Sequence, residues 1–445
     1  MKLLLPIPVL LLLFACQKAD DLDRTNGMDF TSPAALGGRM LSGYQNGALY
    51  HDGQSHAIPQ LIFDQINNYD ECAFSTPYIS LSDGFGNNPK PWESAYQTKS
   101  HLGTRTDCEG EESLGPVKSL YSTTTPTDLQ NASKNINKQY QCAPFATVSR
   151  MTSASFGLPF SAGNSYPYYH RMAENPGNST MFSELVDYDP SFLVAWLGVE
   201  DIYDYALAGA TGTPIMDAQQ FNAKVDSMLG VLSASGTKGV LATIPNIEDI
   251  PYFNTVPYNG LEIELAQADL LNGVYGSSQF DHISFQEGPN PFIMNDSNAS
   301  QGIRQLNYGE KLMLTSPLDS MKCSNYGSIG NYFQDRYVLT LNELAEIKLA
   351  ISSYNTAIKT LANKYDFALF DANAYYKTVN SGITWNGVDY SYEFVTGNFF
   401  SLDGFFPSQK GYGLLANGMI KAINKKYKTH LPTTNCMTCE GTLFP

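Results

Sequence analysis

Residues 36–50 read Leu36-Gly37-Gly38-Arg39-Met40-Leu41-Ser42-Gly43-Tyr44-Gln45-Asn46-Gly47-Ala48-Leu49-Tyr50. The apolar residues Ala34, Ala35 and Leu36 run into Gly37, which predicts the end of a buried strand followed by a sharp turn. Further along, residues 192–197 (Phe-Leu-Val-Ala-Trp-Leu) form the unbroken apolar run of a strand covered on both faces, and 239–244 and 367–370 repeat it. Helical patterns lie between these runs. Phe221, Val225, Met228, Leu229 and Leu232 share one face over 217–233. Leu344, Ile347, Ile351, Tyr354, Ile358 and Leu361 recur at alternating three and four behind a Thr340/Glu343 capping box. Residues 60–66 start a helix after Pro59, and Tyr412, Leu415, Met419 and Ile423 stripe a last one. Strands alternating with amphipathic helices predict an α/β fold: a three-layer, doubly wound, flavodoxin-like parallel sheet. Sites in such sheets lie beyond the carboxyl ends of the strands.

The N-terminus carries Lys2, an apolar run over 3–13 and then Leu13-Phe14-Ala15-Cys16. This is the pattern of a lipoprotein signal peptide, residues 1–15, with Cys16 as the lipid-attachment residue. The run is too short to span a bilayer, which takes about 18–20 residues. Residues 16–32 read as a lipidated tether. Its early acidic pair resembles the surface-export signal of lipoproteins in Bacteroidetes-type bacteria, which implies an outer-membrane lipoprotein exposed at the cell surface. The formal charge of −16 comes from acids spread along the chain, and this argues against nucleic acid or an anionic headgroup surface as partner.

Residues 33–430 read as a single domain carrying two insertions, 67–148 and 260–334, both rich in loop-forming residues and poor in periodicity. Residues 431–445 read as an extended tail. With Cys16 assigned to lipid, Cys72, Cys108, Cys142, Cys323, Cys436 and Cys439 permit three disulfides. Cys436 and Cys439 have the spacing of a metal knuckle or redox pair, but no second pair or histidine cluster completes one, so a local disulfide is expected. No His-x-x-x-His pattern appears, and no metal or cofactor is expected.

Four stretches resemble the sequence blocks of the SGNH/GDSL hydrolases, the GDSL-like lipases and acylhydrolases, in their large Bacteroidetes-type lipoprotein branch. They are residues 36–50, Ser155-Phe156-Gly157-Leu158-Pro159-Phe160, Gly198-Val199-Glu200-Asp201 and Ser401-Leu402-Asp403-Gly404-Phe405-Phe406-Pro407. The resemblance implies the SGNH fold over residues 34–430. It places the family's nucleophilic serine at Arg39, its oxyanion glycine and asparagine at Phe160 and Glu200, its carboxylate at Asp403 and its histidine at Phe406. Only Asp403 keeps the family's residue type. A guanidinium has no lone pair to attack with, a phenyl ring moves no proton, and an ionised carboxylate opposes a developing oxyanion. No catalytic residue is therefore expected, and losing such a set forfeits many powers of ten in rate.

Ser42 lies one helical turn past Arg39, and neither His51 nor His56 shows a partner. Arg39 and Glu200 occupy facing positions in the family, so they are expected to pair, with Asp403 joining and Phe160 and Phe406 filling the cleft. The function this implies is a catalytically inactive, pseudoenzyme role in binding or assembly at the cell envelope. Its partner would be an outer-membrane β-barrel protein or a glycan or lipid ligand. The alternative is an esterase or lipase that hydrolyses acyl esters of lipids or glycans through non-standard residues.

Overall fold

A computed structural model of the chain describes residues 23–86, 97–118, 129, 131, 138–159, 166, 168–276, 280 and 282–442. The stretch expected to be a signal peptide, Cys16 and Phe160 lie outside the described residues. Five parallel strands make the central sheet: β1 (Pro33–Gly37), β2 (Tyr140–Cys142), β3 (Phe192–Trp196), β4 (Lys238–Ala242) and β5 (Ala368–Phe370). Their spatial order is β5-β4-β3-β1-β2, the doubly wound order predicted from the alternating pattern. The middle strand, β3, is the most apolar run and is buried throughout. Small residues in β1 sit beside it, with Pro33 opposite Phe192 and Gly37 opposite Trp196.

Helices cover both faces. Helix α1 (Ile58–Asn67) packs on α6 (Gln409–Tyr427) on one side of the sheet, while α2 (Met181–Tyr188), α4 (Ala218–Ala234) and α5 (Leu341–Lys364) lie on the other. The short helix α3 (Val199–Leu207) crosses the carboxyl end of β3. The predicted capping box opens α5: Glu343 Oε2 accepts from the Thr340 N–H at 2.7 Å. Tyr354 of that helix stacks on Phe221 of α4, with centroids 3.7 Å apart.

Several sequence-based boundaries move. Tyr140-Gln141-Cys142, read as the end of an insertion, is the edge strand β2, with Ala35 opposite Tyr140. Its polar centre hides the strand pattern, because Gln141 is fully buried and its amide donates to Glu184. Residues 24–30, read as part of the tether, are docked on the domain. Phe30 is buried against Phe192, and Arg24 O accepts from the His430 N–H at 2.7 Å. The tail is not loose either: Asn417 holds Thr434 through both amide atoms, and Cys436 is fully buried.

The cysteines correct a second expectation. Among the described residues, the disulfide is Cys108–Cys323, with Cα atoms 6.1 Å apart, and it joins the first insertion to the second. Cys436 and Cys439 are buried free thiols rather than a local disulfide. The two sulfurs lie over Gly413 of α6, and the Asn417 amide donates to Cys436 Sγ at 3.3 Å. Cys72 and Cys142 are also buried thiols. Beside the disulfide, Lys322 Nζ meets Asp107, Glu109 and Glu111 at 2.6, 2.9 and 2.9 Å, so that acidic cluster is neutralised from the opposite insertion. The first insertion presents an antiparallel hairpin, His101–Thr106 with Glu112–Val117, and the second has two small apolar clusters of its own, one around Phe292 and Phe333 and one around Leu271 and Tyr275.

Candidate functional site at the switch point

The chain leaves β1 toward β2 on one side of the sheet, while β3 lies on the other, so the strand order reverses between β1 and β3. Arg39 opens the helical turn after β1, and Glu200 lies in the first turn of α3 after β3. They meet across the reversal. The Arg39 backbone N–H donates to Glu200 Oε1 at 2.5 Å and its Nε donates to Oε2 at 2.7 Å, while its Nη2 bonds both Glu200 and Asp204. The expected Arg39–Glu200 pair is therefore present, with Asp204 as the additional partner in place of Asp403.

Glycines make the approach possible. A Cβ on Gly38 would collide with the Glu200 carboxylate. Gly198 holds a left-handed φ of +83° at the start of α3, where a Cβ would come within 2.7 Å of Phe221. Gly43 closes the Arg39 turn at φ +76° against the Gly53 carbonyl. The glycine spacing seen in the sequence thus fixes two backbone approaches that bring a buried cation to a buried anion.

Aromatic rings complete the cation's surroundings. The guanidinium carbon lies 4.4 Å from the Phe145 ring centroid and 4.9 Å from that of Phe406. Phe145 stacks on Tyr166 at 4.6 Å, and the Arg150 guanidinium lies 4.4 Å over Tyr166. Arg150 also reaches Asp204 at 3.4 Å, so Asp204 bridges the two arginines. Two cations and two carboxylates balance within this stack. Burial opposes the Arg39 charge, yet Glu200 and Asp204 outweigh it and hold its pKa above the ordinary value. Burial also pushes the Glu200 carboxyl up, against the pull of Arg39.

Asp403 does different work. Its Oδ1 accepts from the Phe405 and Phe406 N–H groups, both at 2.8 Å, and its Oδ2 accepts from the Gly47 N–H at 2.9 Å. It ties the 403–406 turn to the loop after the Arg39 turn. Burial pushes its carboxyl up despite these three donors. Ser42 is buried, and its hydroxyl bonds the Arg39 carbonyl at 3.3 Å. His51 is exposed beside Asp52, and His56 Nδ1 contacts the Asp52 carbonyl and the Ser55 hydroxyl within its own helical turn. The structure brings Arg39, Glu200, Asp403 and Phe406 to one place and leaves both histidines out of it.

Of the two rings expected to fill the cleft, Phe160 lies outside the described residues and Phe406 does not fill it. Phe406 stacks on Arg39 and forms floor, leaving an open cleft of about 1180 Å³ above it. Phe405, Phe406 and Tyr252 line the base, with Lys118 from the first insertion and Thr315 from the second on the walls. Among the described residues lining this cleft there is no histidine.

Asp201, next to Glu200, is buried and accepts from the Val148 N–H at 3.0 Å. Burial raises its pKa from 3.8 to about 7. Because the folded value lies above the unfolded one, protonated Asp201 favours the fold. That contribution is full below pH 3.8 and is lost as the pH rises through about 7. The shift is worth at most on the order of 4 kcal/mol. Asp201→Asn keeps an acceptor for Val148 and should raise stability at pH 8 while changing it little at pH 4. Urea denaturation at the two pH values checks this.

No family model matches the chain, and no curated relative matches it. Solved structures similar to it include the following three. LAE5, an alpha/beta hydrolase enzyme from the metagenome of Lake Arreo, Spain, is 8% identical with a TM-score of 0.28, over 66% of this chain and 74% of that one. A protein from Parabacteroides merdae ATCC 43184 assigned as a GDSL-like lipase is 10% identical with a TM-score of 0.28, over 64% and 72%. The lipase/acylhydrolase from Enterococcus faecalis is 12% identical with a TM-score of 0.26, over 66% and 78%. At such distances the doubly wound α/β assignment rests on the strand order of the chain itself.

Proposed function

We propose that this chain is an SGNH/GDSL-type protein that binds at its switch-point cleft without hydrolysing what it holds, and that lipid on Cys16 presents it at the outer membrane. The observation that supports the reading is the replacement of the hydrolytic positions as a set. Arg39 and Glu200 form a charge-matched buried pair, Phe406 stacks on that pair, and the cleft above stays open. A chain that keeps a large concave site while its reacting groups are replaced is suited to recognition. Its partner in this reading would be an outer-membrane β-barrel protein or a glycan or lipid ligand.

Anchoring is tested by metabolic labelling with an alkynyl palmitate in the native membrane. Wild-type protein should incorporate label and fractionate with outer membrane, and Cys16→Ala should lose both. Unlabelled wild-type protein would contradict the anchor. A β-barrel partner should co-purify with the wild type in mild detergent, and purification without one would remove that part of the reading.

A further inference from the structure

The chain carries a net charge of −16, yet among the described residues three of the four charged side chains lining the cleft are cations, Arg39, Arg105 and Lys118, against the carboxylate of Asp403. These cations are not equivalent. Arg39 is neutralised by Glu200 and Asp204 beneath the floor, and Arg105 reaches Asp319 at 3.5 Å. Lys118 makes no ion pair among the described residues, and its ammonium donates to the Gln97 side chain at 3.3 Å. It lies over the α-carbon of Gly47, where a Cβ would come within 2.6 Å of Nζ. Gly47, at φ +74°, thus leaves the space through which the ammonium enters the cleft. Asp403 is close enough to be felt, but its two oxygens are taken up by three backbone N–H donors. The Lys118 side chain is exposed, and its pKa is lowered by the protein packed around it and raised by the Asp403 charge, with a net shift downward.

The same cleft has an apolar part. Phe405, Phe406, Leu314 and Leu402 line it, and Tyr252 packs edge-on against Phe405 with centroids 5.6 Å apart. A cation without an ion pair among the described residues, sharing one cleft with two aromatic rings, is complementary to a ligand with a flat apolar body and one acidic group. We propose that the cleft selects such an amphipathic anion, with the acid on Lys118 and the apolar body on Phe405 and Phe406. This rests on the binding reading above and names the ligand chemistry for the same site.

Two dyes that share a ring system separate the claims: 1-anilinonaphthalene-8-sulfonate carries the acid, and N-phenyl-1-naphthylamine lacks it. Titrated by fluorescence into the full mature chain, the sulfonate should bind saturably at one site. It should bind roughly tenfold or more tighter than the neutral dye, the size of one charge-assisted contact. Lys118→Glu should abolish that preference while leaving the neutral dye's affinity and the thermal melt unchanged. Lys118→Met should lose most of it, and Lys359→Met, on the far α5 helix, should lose none. Added salt should weaken the sulfonate selectively. Equal affinity for the two dyes, or a preference that survives Lys118→Glu, would overturn the anion claim and leave the binding reading standing. If neither dye binds saturably, both fall.

Discussion

Arg39→Met should destabilise the fold by about 3–5 kcal/mol, because it leaves the Glu200 carboxylate buried without its cation. Glu200 is only 2% exposed, and its remaining donor would be the Arg39 backbone N–H. Glu200→Met should cost a similar amount by stranding the guanidinium, for which the more exposed Asp204 is a poorer substitute. The double variant Arg39→Met/Glu200→Met should recover most of the loss, since paired apolar residues of similar volume often replace a buried ion pair at little cost. Arg39→Lys should fall between, because an ammonium can neither form the forked contact nor stack flat between Phe145 and Phe406. Urea denaturation of the four variants measures the cycle. Additive single losses with no recovery in the double would contradict the pairing account.

Cys108→Ser/Cys323→Ser gives the second large effect, a loss of about 2–4 kcal/mol. The bond closes a loop of 215 residues and is the covalent tie between the two insertions that wall the cleft. The Lys322 contacts with Asp107, Glu109 and Glu111 are exposed and cannot replace it. Limited proteolysis of the double variant should cut first in the hairpin between His101 and Val117 while the central sheet stays intact. Unchanged cleavage with unchanged denaturation would show that the insertions are held without the bond.

The sheet was legible because its central strands carry an unambiguous signal. Phe192–Trp196 is apolar at every position, and only a strand covered on both faces needs that. β2 was not legible, because three residues with a buried glutamine at the centre have no period to read. The Arg39–Glu200 pair was readable from facing block positions, but Asp204 was missed. It lies four residues after Glu200, one helical turn along α3, and that spacing was the available signal. Phe145 was lost in what read as insertion, and Arg150 follows just past it with no periodic pattern to mark it. The open cleft could not be seen at all, since its walls meet through contacts between residues more than two hundred positions apart.

If, as proposed, the Arg39–Glu200 pair stands where a hydrolase carries its reacting group, a fluorophosphonate probe tests this directly, because stable labelling requires an activated serine or an equivalent nucleophile. Incubated with the native full-length chain, the probe should leave the intact mass unchanged. A stoichiometric adduct that heat denaturation prevents and one serine substitution abolishes would contradict the account and make the protein a hydrolase.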